Sequence, residues 1–192
     1  MRRWALCCVL LLAGCAEVTT GQPTEIVRGP DSTVPPPYTQ PALSFEKYLA
    51  KPCDLLSREQ LSTIGIVIDQ GKIETSPLGP DCVWQADKSM DTGIVVSLLD
   101  KGAGLGPAYR NRGWGYFAET TIGGYPAINT DNVKPVGRAT PVGMCFTTVG
   151  IAPLLAFKVQ AVTHKPNPDY EQPCKVSDRV ATWVLEKLRA SG

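Results

Sequence analysis

The sequence predicts an α+β domain: an antiparallel sheet with a short N-terminal helix and a C-terminal amphipathic helix, held by two disulfides. Three observations carry this. Leu154 to Val162 alternates, with Leu155, Phe157, Val159 and Ala161 on one side and Lys158 and Gln160 on the other. Such alternation describes a strand with one face buried and one wet. Val176, Val180, Trp183, Val184 and Leu188 form an apolar stripe at helical spacing. Four cysteines are spread along the part of the chain that has this periodicity.

In chain order, Met1 to Gly14 reads as an export signal. Arg2 and Arg3 give a positive start, and Trp4 to Leu12 is an apolar run too short to span a bilayer. Leu12-Ala13-Gly14-Cys15 resembles a bacterial lipobox. Small residues before the cut fit a peptidase groove, and the Cys15 thiolate accepts a diacylglyceryl group. Cys15 is thus the expected lipidation site, with palmitate-type acyl chains giving stable anchoring without a basic patch. The expected location is the outer side of the cell membrane, lipid-anchored. Residues 15–43 read as the lipidated cysteine plus a disordered, proline-rich tether. Pro23, Pro30, Pro35, Pro36, Pro37 and Pro41 lie among polar residues, and Tyr38 is the only aromatic.

A single globular domain is expected over 44–192. Ser57-Arg58-Glu59-Gln60 is a capping-box pattern and Gly65 a stop, so Ser57 to Ile64 is predicted helical. Short strands are predicted at Ile66–Ile68, Lys72–Thr75 and Cys82–Gln85, and a more buried one at Gly93–Leu99. Gly102, Gly104, Gly106, Gly113 and Gly115 break up the next segment, leaving room for a helical turn or two at Pro107–Arg112. Ala118–Ile122 and Ala127–Asn129 read as a hairpin joined at Gly123-Gly124. Cys145–Ile151 and Leu154–Val162 are the clearest strands, and Val176–Arg189 is the final helix.

The composition narrows function. The chain has 192 residues, 43% of them hydrophobic, enough for a real core. It carries 19 basic and 18 acidic residues; removing residues 1–14 takes Arg2 and Arg3 and leaves 17 against 18. Near-neutrality gives no electrostatic case for nucleic acid. Cys7 and Cys8 leave with the signal, so Cys53, Cys82, Cys145 and Cys174 remain. An even number in an exported chain implies two disulfides, with three possible connectivities. Cys53–Cys82 and Cys145–Cys174 are favoured, because each joins neighbouring elements. Without a C-x-x-C pair a zinc site is not expected.

A set of motifs runs through the chain in order. They are Pro52-Cys53-Asp54-Leu55-Leu56-Ser57 with Glu59 and Leu61, Cys82-Val83-Trp84, and Ile122-Gly123-Gly124-Tyr125-Pro126-Ala127, then Cys145 and Cys174 before the amphipathic tail. Together they resemble the actinobacterial lipoprotein family known as domain of unknown function DUF3558. The resemblance implies an exported, lipid-anchored envelope protein and the same two disulfides. It supplies no catalytic residues.

No catalytic constellation is legible, and the chain is not expected to be an enzyme. His164 is the single histidine and precedes a proline-rich loop, where an exposed position is expected. Gly102-Ala103-Gly104-Leu105-Gly106 lacks the Gly-Lys-Ser/Thr ending of a phosphate loop. No cofactor is implied. The expected role is a binding module for another envelope protein, a lipid or a small apolar ligand. The alternative is an envelope hydrolase or transferase. Leu105, Tyr109, Trp114, Tyr116 and Phe117 form the candidate contact surface, because apolar and aromatic side chains beside mobile glycines suit adaptable recognition.

Overall fold

Seven strands form one antiparallel sheet in the order β1-β2-β3-β7-β6-β5-β4. The computed structural model describes residues 32–85, 92–113, 115–131 and 141–192. The strands are β1 (Lys72–Ser76), β2 (Gly79–Gln85), β3 (Gly93–Leu99), β4 (Phe117–Ile122), β5 (Tyr125–Thr130), β6 (Met144–Ala152) and β7 (Leu155–Val162). The helices are α1 (Arg58–Ser62), α2 (Gly106–Arg110) and α3 (Pro173–Ser191). The α+β class predicted from alternation and amphipathicity is the class observed.

The register explains the core. Ala161, Val159 and Phe157 of β7 lie beside Ile94, Val96 and Leu98 on β3, and beside Cys145, Thr147 and Val149 on β6. This face is roofed by α3, whose Val176, Val180, Ala181, Val184, Leu185 and Leu188 are all buried. Burying the five larger of these side chains contributes on the order of 10 kcal/mol of transfer free energy, before chain entropy opposes it. Trp183, placed in the same stripe, packs partly buried against this core. The helix starts at Pro173 rather than Val176, since a proline at the first helical position loses no hydrogen bond.

The N-terminal end of the domain follows its sequence signals closely. Ser57 Oγ accepts from Gln60 N at 3.2 Å and Gln60 Oε1 accepts from Ser57 N at 2.8 Å, completing the capping box. Gly65 ends the turn with φ of +83°, a conformation that suits glycine. Both disulfides join the expected partners, Cys53–Cys82 and Cys145–Cys174, each closing a separation of 29 residues. Gly123 and Gly124, both at positive φ, form the turn between β4 and β5.

Two expectations are corrected. Ile66–Ile68 is not a strand. The Ile66 amide donates to Leu61 O at the end of α1, so this stretch finishes the helix instead of joining the sheet. The proline-rich segment, read as free up to residue 43, docks earlier. Tyr125 Oη donates to Pro41 O at 2.6 Å, Leu43 N donates to Ile151 O, and Tyr38 lies over Gly150. A side chain at Gly150 would collide with the Tyr38 ring, so glycine makes that close approach possible.

Candidate functional site

A cleft opens where the disulfide Cys53–Cys82 ties the chain before α1 to β2. The 3₁₀ turn Pro52–Leu55 carries Cys53 and Asp54 over the sheet, and α1 follows at once. Leu56, Leu61 and Trp84, all nearly buried, form an apolar floor together with the disulfide. Lys51, Asp54 and Arg58 stand on one rim; Ile68, Asp69, Gln70 and Ile73 stand on the other. The cleft encloses about 560 Å³, within the usual range for ligand sites.

Gly71 sets how tightly the far rim approaches. A Cβ there would overlap Cys82 Sγ and lie 2.7 Å from Trp84 Nε1. Arg58 Nη1 reaches Asp69 Oδ1 across the cleft at 3.5 Å, with the two side chains 66% and 96% exposed. So exposed a pair holds the rims together only weakly and opens readily to an occupant. Beyond this bridge lies a second hollow lined by Glu59, Ser62, Ile66 and Val67. Val67 (82% exposed) and Ile73 (51%) are two of the most exposed large apolar residues described. The arrangement suits an apolar group held against Trp84 with charged or polar neighbours at the rims.

The residues singled out from the sequence as a contact surface do not come together at one. Leu105 and Tyr109 are 0% exposed and pack with Ile128 in a second small core on the other sheet face. Phe117 is half-buried against them, edge-on to Tyr109 at 5.4 Å, with the Arg112 guanidinium 4.7 Å from its centroid. Tyr116 lines a hollow of about 190 Å³ with Pro141, Glu171, Gln172, Cys174 and Lys175. Its amide donates to Asp131 Oδ1 at 2.8 Å. Trp114 and Cys15 lie outside the described residues. His164 is exposed in the loop after β7.

Two polar clusters escaped the sequence reading. Beneath α3, Thr147 Oγ1 lies 2.6 Å from Asp178 Oδ1, 2.7 Å from Ser177 Oγ and 2.9 Å from Asn129 Oδ1. Asn129 Nδ2 donates to Asp178 Oδ2 at 3.2 Å. This network sits beside Cys145–Cys174 and fixes α3 on β5 and β6. On the opposite face the register places Asp81, Ser97, Lys158 and Thr148 in one row across β2, β3, β7 and β6. Burial holds the Lys158 ammonium below the ordinary lysine range, while Asp81 pulls the other way. The sequence signal for both clusters was the run of polar residues in otherwise apolar central strands.

Among the described residues no three His, Cys, Asp or Glu side chains are placed to hold a metal ion. No helix among them is long and apolar enough to cross a membrane.

A seven-stranded antiparallel sheet, one long covering helix and two disulfides define a stapled α+β domain with an open cleft at one edge. The chain belongs to the family described as protein of unknown function DUF3558, whose model matches residues 10–187. No curated protein and no solved structure matches it.

Proposed function

We propose that this protein is a non-catalytic binding module of the cell envelope. In this reading residues 1–14 direct export, a lipid on Cys15 holds the mature protein to the outer side of the membrane, and the Trp84 cleft grips another envelope protein. The observation that carries the binding role is the cleft itself, with its apolar floor, its mixed charges at both rims and its weak Arg58–Asp69 bridge. An acyl chain favours an enclosed apolar tunnel, whereas an open, half-polar cleft favours an apolar side chain of a protein with polar neighbours. Two disulfides fit an oxidising compartment, and the lipobox pattern fits anchoring.

The test is site-specific photo-crosslinking of the membrane-bound protein. A crosslinker in place of Asp69 should trap a discrete protein partner, and one in place of Arg179, exposed on α3, should not. Equal trapping from both positions would place the contact elsewhere. For the anchor, Cys15→Ala should abolish lipid labelling and release the protein from membranes or leave uncleaved precursor. A variant still acylated and processed at the same place would overturn that part.

A further inference from the structure

The edge strand β1 has a pairing phase that can be worked out from its hairpin. Pro77 and Leu78 make a two-residue turn, with Ser76 opposite Gly79 and Thr75 opposite Pro80. In such a hairpin the residues flanking the turn exchange hydrogen bonds, and bonded and non-bonded pairs then alternate. Ser76, Glu74 and Lys72 therefore direct their backbone groups at β2, while Thr75 and Ile73 direct theirs away from it. Pro80 fits this phase. It faces β3 and has no N–H to give, and the β2–β3 ladder begins only at Asp81 and Ser97. β1 is the outermost strand, so among the described residues the N–H and C=O of Ile73 and Thr75 form an open edge beside the cleft.

We propose that β1 is a self-complementary docking edge, pairing antiparallel with β1 of a second copy about a twofold axis through Ile73. Charge selects the register. An antiparallel pair needs outward-facing residues opposite one another, so neighbouring registers differ by two residues. One places Lys72 against Lys72, and another places Glu74 against Glu74. The register between them sets Ile73 against Ile73 and Lys72 of each copy against Glu74 of the other. Lys72 and Glu74 then form non-hydrogen-bonded pairs, in which opposing side chains lie closest. In a single copy Lys72 Nζ donates to Glu74 Oε1 at 2.7 Å on the same strand. Pairing exchanges those two exposed bridges for two between copies, so charge fixes the register while the backbone bonds and burial of Ile73, 51% exposed alone, supply the attraction. The pairing spans Gly71 to Thr75 of each copy, with Gly71 just before β1, and makes a small interface of the transient class. The twofold symmetry is that of the commonest protein dimers.

Hydrogen exchange on the full chain, purified in mild detergent, tests this across a range of concentration. The Lys72 and Glu74 amides should be protected throughout. Those of Ile73 and Thr75 should exchange freely when dilute and gain protection as concentration rises, alongside dimers seen by sedimentation. Lys72→Glu and Glu74→Lys should each weaken self-association by about tenfold or more, since each substitution reverses both cross-strand pairs. Mixing the two variants should restore association, and so should the double exchange in one chain. The β2 amides report that these exposed substitutions leave the fold intact. Ile73 and Thr75 amides that stay unprotected at every concentration would overturn the proposal. So would single variants that associate like the unaltered chain, because the contact would then lie on another surface.

Discussion

Replacing Tyr109 with alanine should unfold the domain far more readily than replacing Tyr116. Tyr109 is 0% exposed and packs against Leu105 and Ile128, which are equally buried. Removing a buried aromatic ring forfeits its transfer free energy and leaves a cavity, together about 3–5 kcal/mol. The edge-on contact with Phe117 at 5.4 Å and 81° adds a coupling of about 0.5–1.5 kcal/mol. For a domain of this size the loss corresponds to a melting temperature lower by on the order of 10 °C. Urea unfolding of the disulfide-intact protein measures it, with Tyr109→Ala, Phe117→Ala and the double variant forming a cycle. Tyr116→Ala, at a half-buried position lining a shallow hollow, should stay within about 1 kcal/mol of the unaltered chain. A Tyr109→Ala protein that loses less than about 1 kcal/mol would refute the placement of α2 over the sheet. It would also return Tyr109 to the surface.

Four further outcomes are expected. Replacing both Cys53 and Cys82 with alanine should lower stability by about 3–4 kcal/mol from loop entropy alone, read by chemical unfolding; an unchanged midpoint would mean the bridge does not constrain the unfolded chain. Thr147→Val should cost about 2–3 kcal/mol, because it strips the hydroxyl from the half-buried Asp178 carboxylate and the buried Asn129, and no loss would show the network re-forms without it. Burial lowers the folded-state value of Lys158 beneath its ordinary 10.5, so at pH between the two the unfolded chain binds more protons and stability rises with pH; Lys158→Met should flatten that alkaline rise in a pH series of unfolding curves. Arg58→Ala should change stability by less than about 1 kcal/mol, since the Asp69 bridge is exposed, while changing what is trapped at the cleft.

The parts of the fold readable in the sequence are those whose physics is local. Ser57 and Gln60 lie three residues apart and need only each other to cap α1. The alternation in Leu155–Val162 states which side of β7 is dry, whatever covers it. The pairing of four cysteines was accessible because each bridge joins cysteines that follow one another in chain order. Leu105 and Tyr109 failed for the opposite reason. Beside glycines they read as a mobile contact surface, yet residues on later strands, far along the chain, decide their fate. Gly150 on β6 presents a flat surface to Leu105, and Ile128 on β5 completes the pocket. Gly104 provides close approach rather than mobility: a Cβ there would overlap the Pro153 carbonyl.

The cleft was illegible for a further reason, because none of its parts is unusual alone. Cys53 announces a disulfide, Ser57 a helix cap and Lys72–Thr75 a strand, and each of these assignments holds. The site is what remains between them once Cys53–Cys82 draws the 3₁₀ turn onto β2 while Ile66 turns back to Leu61 and not into the sheet. Ile68 instead lines the cleft beside Ile73 and Trp84. The absent strand at Ile66–Ile68 and the unforeseen cleft therefore arise in the same stretch of chain. Ending the ladder at β1 leaves the Ile73 edge open among the described residues, and carrying residues 66–71 past α1 leaves the hollow above Trp84.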